Sequence, residues 1–342
     1  MIDLGVMVAS VGVSLITSYL VIPVFIRFMH AIGIIGYDIM KPKKTPVADM
    51  GGPGVITGFM AGMFTYIALE VFKPKVAIDL VSVLASLNTI LAITIIGIFD
   101  SLTSRMKDRE GKGIFERLKR RGIPGWVYFF IPIPAAVPLM AVNAGKSFLV
   151  IPFLGRIELG VIFPLILVPL AVLCCSNATN FLAGFNGLEA GMGFVLHLSL
   201  GIYALQHDKV EAATIALVFA AALLSFLRYN WYPAKVFPGD LNHTIGAVVV
   251  CVTLLGNMEK FAILCFLPWI IESFLKLSSR FKAESYGILQ RDGIVKPKEK
   301  IRSLTHLVMS LGDFKEWQVS TILILIEVVI CTISFFLVTI IQ

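Results

Sequence analysis

The chain has 342 residues, of which 57% are hydrophobic and 15% charged, with a formal net charge of +7 and a mean hydropathy of +0.88. That balance excludes a soluble globular domain and marks a chain that folds largely in lipid. The cysteines at 174, 175, 251, 265 and 331 all fall in apolar runs without metal-ligand spacing, which excludes a disulfide framework and a zinc site.

Apolar runs long enough, or nearly so, to cross a bilayer number ten: 4–29, 53–72, 78–99, 125–142, 158–180, 188–206, 211–228, 242–256, 260–277 and 319–341. The first is far longer than the apolar stretch of a signal peptide and lacks a basic start and a small-residue cleavage site, so it reads as a retained span. The fourth carries Pro132, Pro134 and Pro138, and the eighth is short. Most of the 29 Lys and Arg residues lie in the odd-numbered connections, including the basic run from Arg105 to Arg121. The positive-inside rule therefore puts those connections in the cytoplasm and both termini outside. The expected fold is an all-α polytopic membrane protein of about ten transmembrane helices. It forms one domain over 1–342, with a cytoplasmic insert at 278–318 between the last two spans.

In chain order, the polar residues that interrupt this pattern begin in the first connection, GYDIMKPKKTPVADMGGPGVITG, which holds Asp38, Lys41 and a Gly-Gly-Pro-Gly turn. Gly54, Gly58 and Gly62 then recur every four residues, a small-residue face that lets helices pack closely. Asp100 ends the third run, and an ionisable group near membrane depth is a functional candidate. The stretch 177–191, NATNFLAGFNGLEAG, interrupts what would otherwise be continuous buried helix. Asn177 and Asn180 are three apart and share a helix face, and an unpaired amide in an apolar medium costs roughly 2–7 kcal/mol. Together with Asn186 and Glu189 they should face a partner, an ion or a water-filled cleft. The seventh connection, RYNWYPAKVFPGDLNHTIG, cannot be helical through Pro233, Pro238 and Gly239, and it places Asp240 at the mouth of the eighth run.

Asp100, Asn180 and Asp240 thus offer hard oxygen ligands on one side of the membrane, a set that suits magnesium or manganese. Nearby cations suggest an anionic substrate whose phosphates complete the metal shell. A cation-coupled transporter also uses carboxylates and broken helices, although near the midplane and with internal symmetry that these two halves do not display.

NATNFLAGFNGLEAG resembles the signature of the polyprenyl-phosphate N-acetylhexosamine-1-phosphate transferase family. NWYPAKVFPGD resembles the downstream aspartate motif of its dolichyl-phosphate N-acetylglucosamine phosphotransferase branch, as do GYDIMK with Pro46 and GVITG, and the SLTHLVM segment. The resemblance spans nearly the whole chain. It implies transfer of N-acetylglucosamine-1-phosphate from UDP-N-acetylglucosamine, or a related UDP-sugar, to a polyprenyl or dolichyl phosphate, with release of UMP. By the resemblance, Asn180 and Asp240 bind magnesium, and Asp100 orients or deprotonates the lipid phosphate. Asn186 and the adjoining glycines, Gly187 among them, lie at the uridine site, while Arg280 and Lys282 contact the donor phosphates. Asn177, Glu189, Asp38 and Lys41 complete the expected substrate-binding set.

The implied partners are these two substrates and membrane lipids, with no nucleic acid, and small-residue faces permit a homodimer. The implied location is the plasma membrane of an archaeon or the endoplasmic reticulum of a eukaryote. Two departures stand out. Ser101 replaces the second aspartate of the family's pair. Ala183 replaces an aspartate of the bacterial cell-wall branch, whose histidine-rich motif is also missing, and this argues against a muramyl-pentapeptide donor.

Overall fold

The computed structural model describes the chain except residues 1–3, 42–43, 73–77, 110–128, 152–154, 240, 299 and 342, and except the side chains of 100, 102–109, 149–151 and 341. Helix dominates because a segment crossing lipid must satisfy its own backbone groups. The helices are α1 (Leu4–Ile32), α2 (Gly52–Val71), α3 (Leu80–Arg109), α4 (Val137–Ala141), α5 (Val168–Phe181) and α6 (Leu188–Gln206). They continue as α7 (Val210–Asn230), α8 (Leu241–Gly256), α9 (Glu259–Cys265), α10 (Leu267–Leu277), α11 (Leu304–Ser310) and α12 (Glu316–Ile341).

Among the described residues seven helices are long and apolar enough to cross a membrane: Leu4–Ile32, Gly52–Val71, Leu80–Phe99, Phe163–Phe181, Leu188–Gln206, Val210–Asn230 and Glu316–Ile340. The other three expected spans are short or interrupted. The described part of the fourth contains a 3-10 turn at Ile133–Ala136 followed by α4, as its prolines dictate. The eighth is α8, apolar but only 16 residues long. The ninth breaks into α9 and α10 at Phe266, two residues before Pro268.

The small-residue face of α2 packs along α1. Gly54 lies against Ile22, Gly58 against Ser18, and Gly62 against Ser14 and the Ser10 carbonyl, which a Cβ on Gly62 would approach to 2.7 Å. This face is therefore used inside the chain. Helices α6 and α7 are mostly buried, whereas α1 and α12 present most of their surface outward. Helix α8 sits between α3 and α5, with Gly246 pressed on the Cys175 backbone.

The all-α expectation holds for the membrane body but not for the connections, which among the described residues carry three small antiparallel sheets. Strand β1 (Ile35–Tyr37) pairs with β2 (Pro46–Ala48), Gly36 opposite Val47. Strand β3 (Phe148–Ile151) pairs with β4 (Gly155–Glu158). In the 278–318 insert, β5 (Ile288–Leu289), β6 (Ile294–Lys296) and β7 (Phe314–Lys315) form one sheet beside α11. Each is a short return of extended chain between helices, where backbone groups leaving a helix need new partners.

Candidate active site

The end of β2 is joined to the connection between α7 and α8. Ala48 and Val236 form a parallel bridge, Gly51 N–H donates to the Phe237 carbonyl at 2.9 Å, and Phe237 N–H donates to Ala48 at 2.9 Å. The 182–187 turn before α6 and the 283–286 wall of the insert close in from the other sides. The four segments enclose a polar cavity of about 570 Å³.

Asn186 is the knot of this arrangement. Its backbone N–H and its Nδ2 both donate to Glu316 Oε1, at 2.9 and 2.6 Å, and Nδ2 also donates to Asp38 Oδ2 at 3.2 Å. Its Oδ1 accepts from Lys41 Nζ at 3.1 Å and from Ala234 N–H at 2.6 Å, while Ser320 Oγ donates to its carbonyl at 2.9 Å. A carboxamide has two donor hydrogens and two acceptor lone pairs, so the protein itself fills every position of the Asn186 side chain. Lys41 also pairs with Asp38 and with Glu316 Oε2 at 3.5 Å, and lies over the Tyr232 ring. Gly187 adopts a left-handed backbone at φ 78°, and its N–H donates to Asn230 Oδ1 at 3.1 Å. Glu189 Oε1 accepts from Gly184 N–H at 2.6 Å. These bonds give the turn a fixed shape whose remaining polar surface faces the cavity.

Asn180, at the end of α5, projects into the cavity, and its Oδ1 meets Asn242 Nδ2 only at 3.4 Å. Asn242 Oδ1 is buried without a hydrogen-bond partner among the described residues. These two amide oxygens with spare lone pairs are hard-oxygen donors of the kind a divalent cation such as magnesium takes. Asp240 itself lies outside the described residues, but Gly239 and Leu241 bracket it, and Gly239 packs on Met50 beside the buried Asp49 carboxylate. Asp100 stands on α3 with its side chain outside the description, and its neighbour Ser101 lines the cavity. No cluster of three or more His, Cys, Asp or Glu suited to a metal occurs among the described residues.

Three expected residues fall elsewhere. Asn177 does not share the cleft of Asn180. Its Nδ2 donates to the Leu173 carbonyl at 2.8 Å and to the Phe129 carbonyl at 3.1 Å, beside a separate apolar groove. Arg280 and Lys282 are exposed and line neither cavity. Among the described residues a lysine that does line the polar cavity is Lys276, buried at the end of α10, where it donates to Ser285 Oγ at 2.8 Å and stands 3.6 Å from Glu272. Sequence reasoning missed Lys276, Glu316, Asp49 and Asn242. Lys276 falls at the end of the 260–277 run, where a cation is ordinary, and Glu316 falls within the polar 278–318 insert; the Asp49 signal was its place in the quoted VADMGG run.

Residues 83–257, just over half of the chain, match the model of glycosyl transferase family 4. The chain belongs to this family. Family 4 relatives align along most of its length. A Saccharolobus solfataricus protein provisionally named UDP-N-acetylglucosamine–dolichyl-phosphate N-acetylglucosaminephosphotransferase is 34% identical over 96% of this chain and 95% of its own. The Schizosaccharomyces pombe protein of that name is 31% identical over 62% of this chain and 48% of its own. The phospho-N-acetylmuramoyl-pentapeptide-transferase of Clostridium beijerinckii is 25% identical over 92% and 90%. The matched family 4 segment includes Asn180, Asn186 and Asp240 but ends before Lys276 and Glu316.

Proposed function

We propose that this family 4 transferase moves N-acetylglucosamine-1-phosphate from UDP-N-acetylglucosamine to a polyprenyl or dolichyl phosphate, releasing UMP, as the first membrane step of an N-glycosylation-type pathway. The observation that carries the reading is a pair of cavities that share a wall. The polar cavity adjoins an apolar groove of about 520 Å³ between α5, α8, α9 and α10, and Phe181 and Phe281 line both. Ile263, Phe274 and Leu277 line the groove and are themselves largely exposed, on helices read as lying in lipid. A nucleotide sugar suits the first cavity and an isoprenoid chain the second, so the acceptor phosphate meets the donor where they join.

In this reading the 182–187 turn holds the uridine end of the donor, with Asp38, Lys41 and Glu316 keeping Asn186 in place. Asn180, Asp240 and Asn242 hold a magnesium or manganese ion. When bound, that ion supplies positive charge to the donor pyrophosphate and so reduces repulsion between two polyanions. Lys276 adds fixed positive charge from the cavity wall. Asp100 orients the acceptor phosphate, which is already anionic at neutral pH and needs little help from a base. An acceptor phosphate oxygen attacks the donor's β-phosphorus, the bond from that phosphorus to the bridging oxygen breaks, and UMP leaves with the electron pair. The positive-inside pattern supports a cytoplasmic site with both termini outside, in an archaeal plasma membrane or in the endoplasmic reticulum.

The test is label transfer by purified protein in detergent, with a polyprenyl phosphate and a panel of UDP-sugars, with magnesium present or chelated. Magnesium-dependent UMP release and labelled lipid from UDP-N-acetylglucosamine alone is the expected result. No transfer from any donor by folded protein overturns the reading.

A further inference from the structure

The junction between the two cavities is built from three aromatic rings. Phe181 and Phe281 stack with centroids 5.0 Å apart and planes at 29°, and Phe129 lies 6.3 Å from Phe281 at 36°. Phe281 and Phe181 line both spaces, whereas Phe129 lines the groove alone, so the row runs across the boundary from lipid side to polar side.

Each ring is fixed from its backbone. Asn177 Nδ2 holds the Phe129 carbonyl at 3.1 Å. Ser285 Oγ donates to the Phe181 carbonyl at 3.0 Å and is itself held by the buried Lys276. Phe281 sits in a tight turn ending α10, where Arg280 N–H bonds Leu277 at 2.8 Å and Phe281 N–H bonds Lys276 at 2.9 Å. Both turn residues are left-handed, Arg280 at φ 54° and Phe281 at φ 59°. That conformation is unfavourable for side-chain-bearing residues, and least so for Gly and Asn. A helix-ending turn of this kind is usually completed by Gly. Here Phe occupies it at a backbone cost, and what the residue provides in return is a ring at the junction. Beyond its stack on Phe181, Phe281 remains 45% exposed, so much of its apolar surface is open at the junction.

We propose that the Phe129–Phe281–Phe181 row is the acceptor threshold, recognising the isoprene units next to the phosphate and so selecting a phosphate carried on an isoprenoid chain over other phosphates. This rests on the acceptor reading given above. Flat aromatic faces pack against a branched apolar chain, and the row leads straight to Asn180, the residue after which Phe181 follows on α5. It assigns Asn177 a place as well, as a positioning residue for Phe129.

The experiment compares wild type with Phe281→Gly, Phe281→Asn and Phe281→Leu. Gly and Asn tolerate the left-handed turn, so both variants should keep or raise the melting temperature while removing the ring. Expected is an acceptor KM raised at least tenfold in Phe281→Gly and Phe281→Asn, less in Phe281→Leu, with donor KM unchanged. The discrimination between a polyprenyl phosphate and a straight-chain alkyl phosphate of equal carbon number should shrink in parallel. An unchanged acceptor KM overturns the proposal, as does an equal rise in donor KM. The same proteins are titrated with polyprenyl phosphate alone and melted. Stabilisation in wild type that is lost in Phe281→Gly supports the threshold even if transfer fails, which then counts only against the transferase reading. Absence of stabilisation together with absence of transfer overturns both.

Discussion

Glu316→Ala tests whether the last helix holds the donor turn in shape. The carboxylate is almost fully buried and accepts from Asn186 twice, at 2.9 and 2.6 Å, with Lys41 3.5 Å from its other oxygen. Hydrogen bonds to a charged acceptor are worth about 1.5–3 kcal/mol each, partly offset because Ala removes a carboxylate that was costly to bury. Breaking one partner out of a buried pair costs about 3–5 kcal/mol, which we take as the net effect. With an unfolding entropy of about 2.1 cal/mol/K per residue, a chain of this length loses about 1.4 °C per kcal/mol, so the melting temperature should fall by about 4–7 °C. Glu316→Gln keeps an oxygen for Asn186 and should lose less than half as much. The assays are thermal unfolding in detergent by intrinsic fluorescence and UMP release as a function of donor concentration, in which donor KM should rise more than acceptor KM. A melting temperature within about 1 °C of wild type, or Gln as damaging as Ala, would refute the reasoning.

Asp240→Ala should abolish UMP release while the protein still inserts and melts as wild type; normal turnover in that variant removes its metal role. Chelation should stop turnover and added magnesium should restore it, as read by the same UMP assay. Gly184→Ala should lower both stability and donor affinity, because φ is 114° and the new Cβ would lie 2.6 Å from the Tyr286 ring; a wild-type melting curve counts against that fit. His306 donates from Nε2 to the Tyr286 carbonyl at 3.1 Å and accepts the Arg302 N–H at 3.4 Å on Nδ1, and burial holds its imidazole below the ordinary 6.5. The unfolded chain therefore protonates first, so this contribution is complete above about pH 6.5 and is lost as the pH falls below it. His306→Gln should flatten the acid limb of a melting-temperature profile, and an unaltered limb rules the histidine out as its source.

The helical membrane body was legible because lipid leaves a spanning segment few alternatives, and the Gly54, Gly58 and Gly62 spacing correctly announced a close helix contact. Seven of the ten expected runs are long apolar helices among the described residues; Pro132, Pro134, Pro138 and Pro268 interrupt two of the others, whose average hydropathy still looks continuous, and the eighth is a shorter apolar helix. At the site, Asn180, Asn186 and Glu189 stood out as polar groups in an apolar run and all line the cavity. Asn177 stood out equally but serves a carbonyl 48 residues away, because one step of three on a helix ending turns the side chain to another neighbour. Lys276 was hidden by its position at the end of an apolar run, where a charge is ordinary, and Glu316 by lying in the polar 278–318 insert among other charges. Only the folded chain shows that the first is buried in a cavity wall and the second in a pair. Arg280 and Lys282 drew attention by charge, while the residue between them, Phe281, occupies the junction.

Asn186 bonds a partner 148 residues before it and another 130 residues after it. During synthesis Asp38 and Lys41 can pair as soon as the first loop emerges, and the 177–191 stretch can meet them once α6 and α7 are inserted. Until α12 arrives, however, the backbone N–H of Asn186 lacks its acceptor and the carbonyl lacks Ser320. A ribosome stalled before residue 316 therefore leaves a chain that already contains every candidate metal ligand but lacks the two residues of α12 that fix the donor turn. Coupling the turn to α12 makes the arrival of that helix a condition for its fixed shape, so assembly of the site follows insertion of a segment far along the chain.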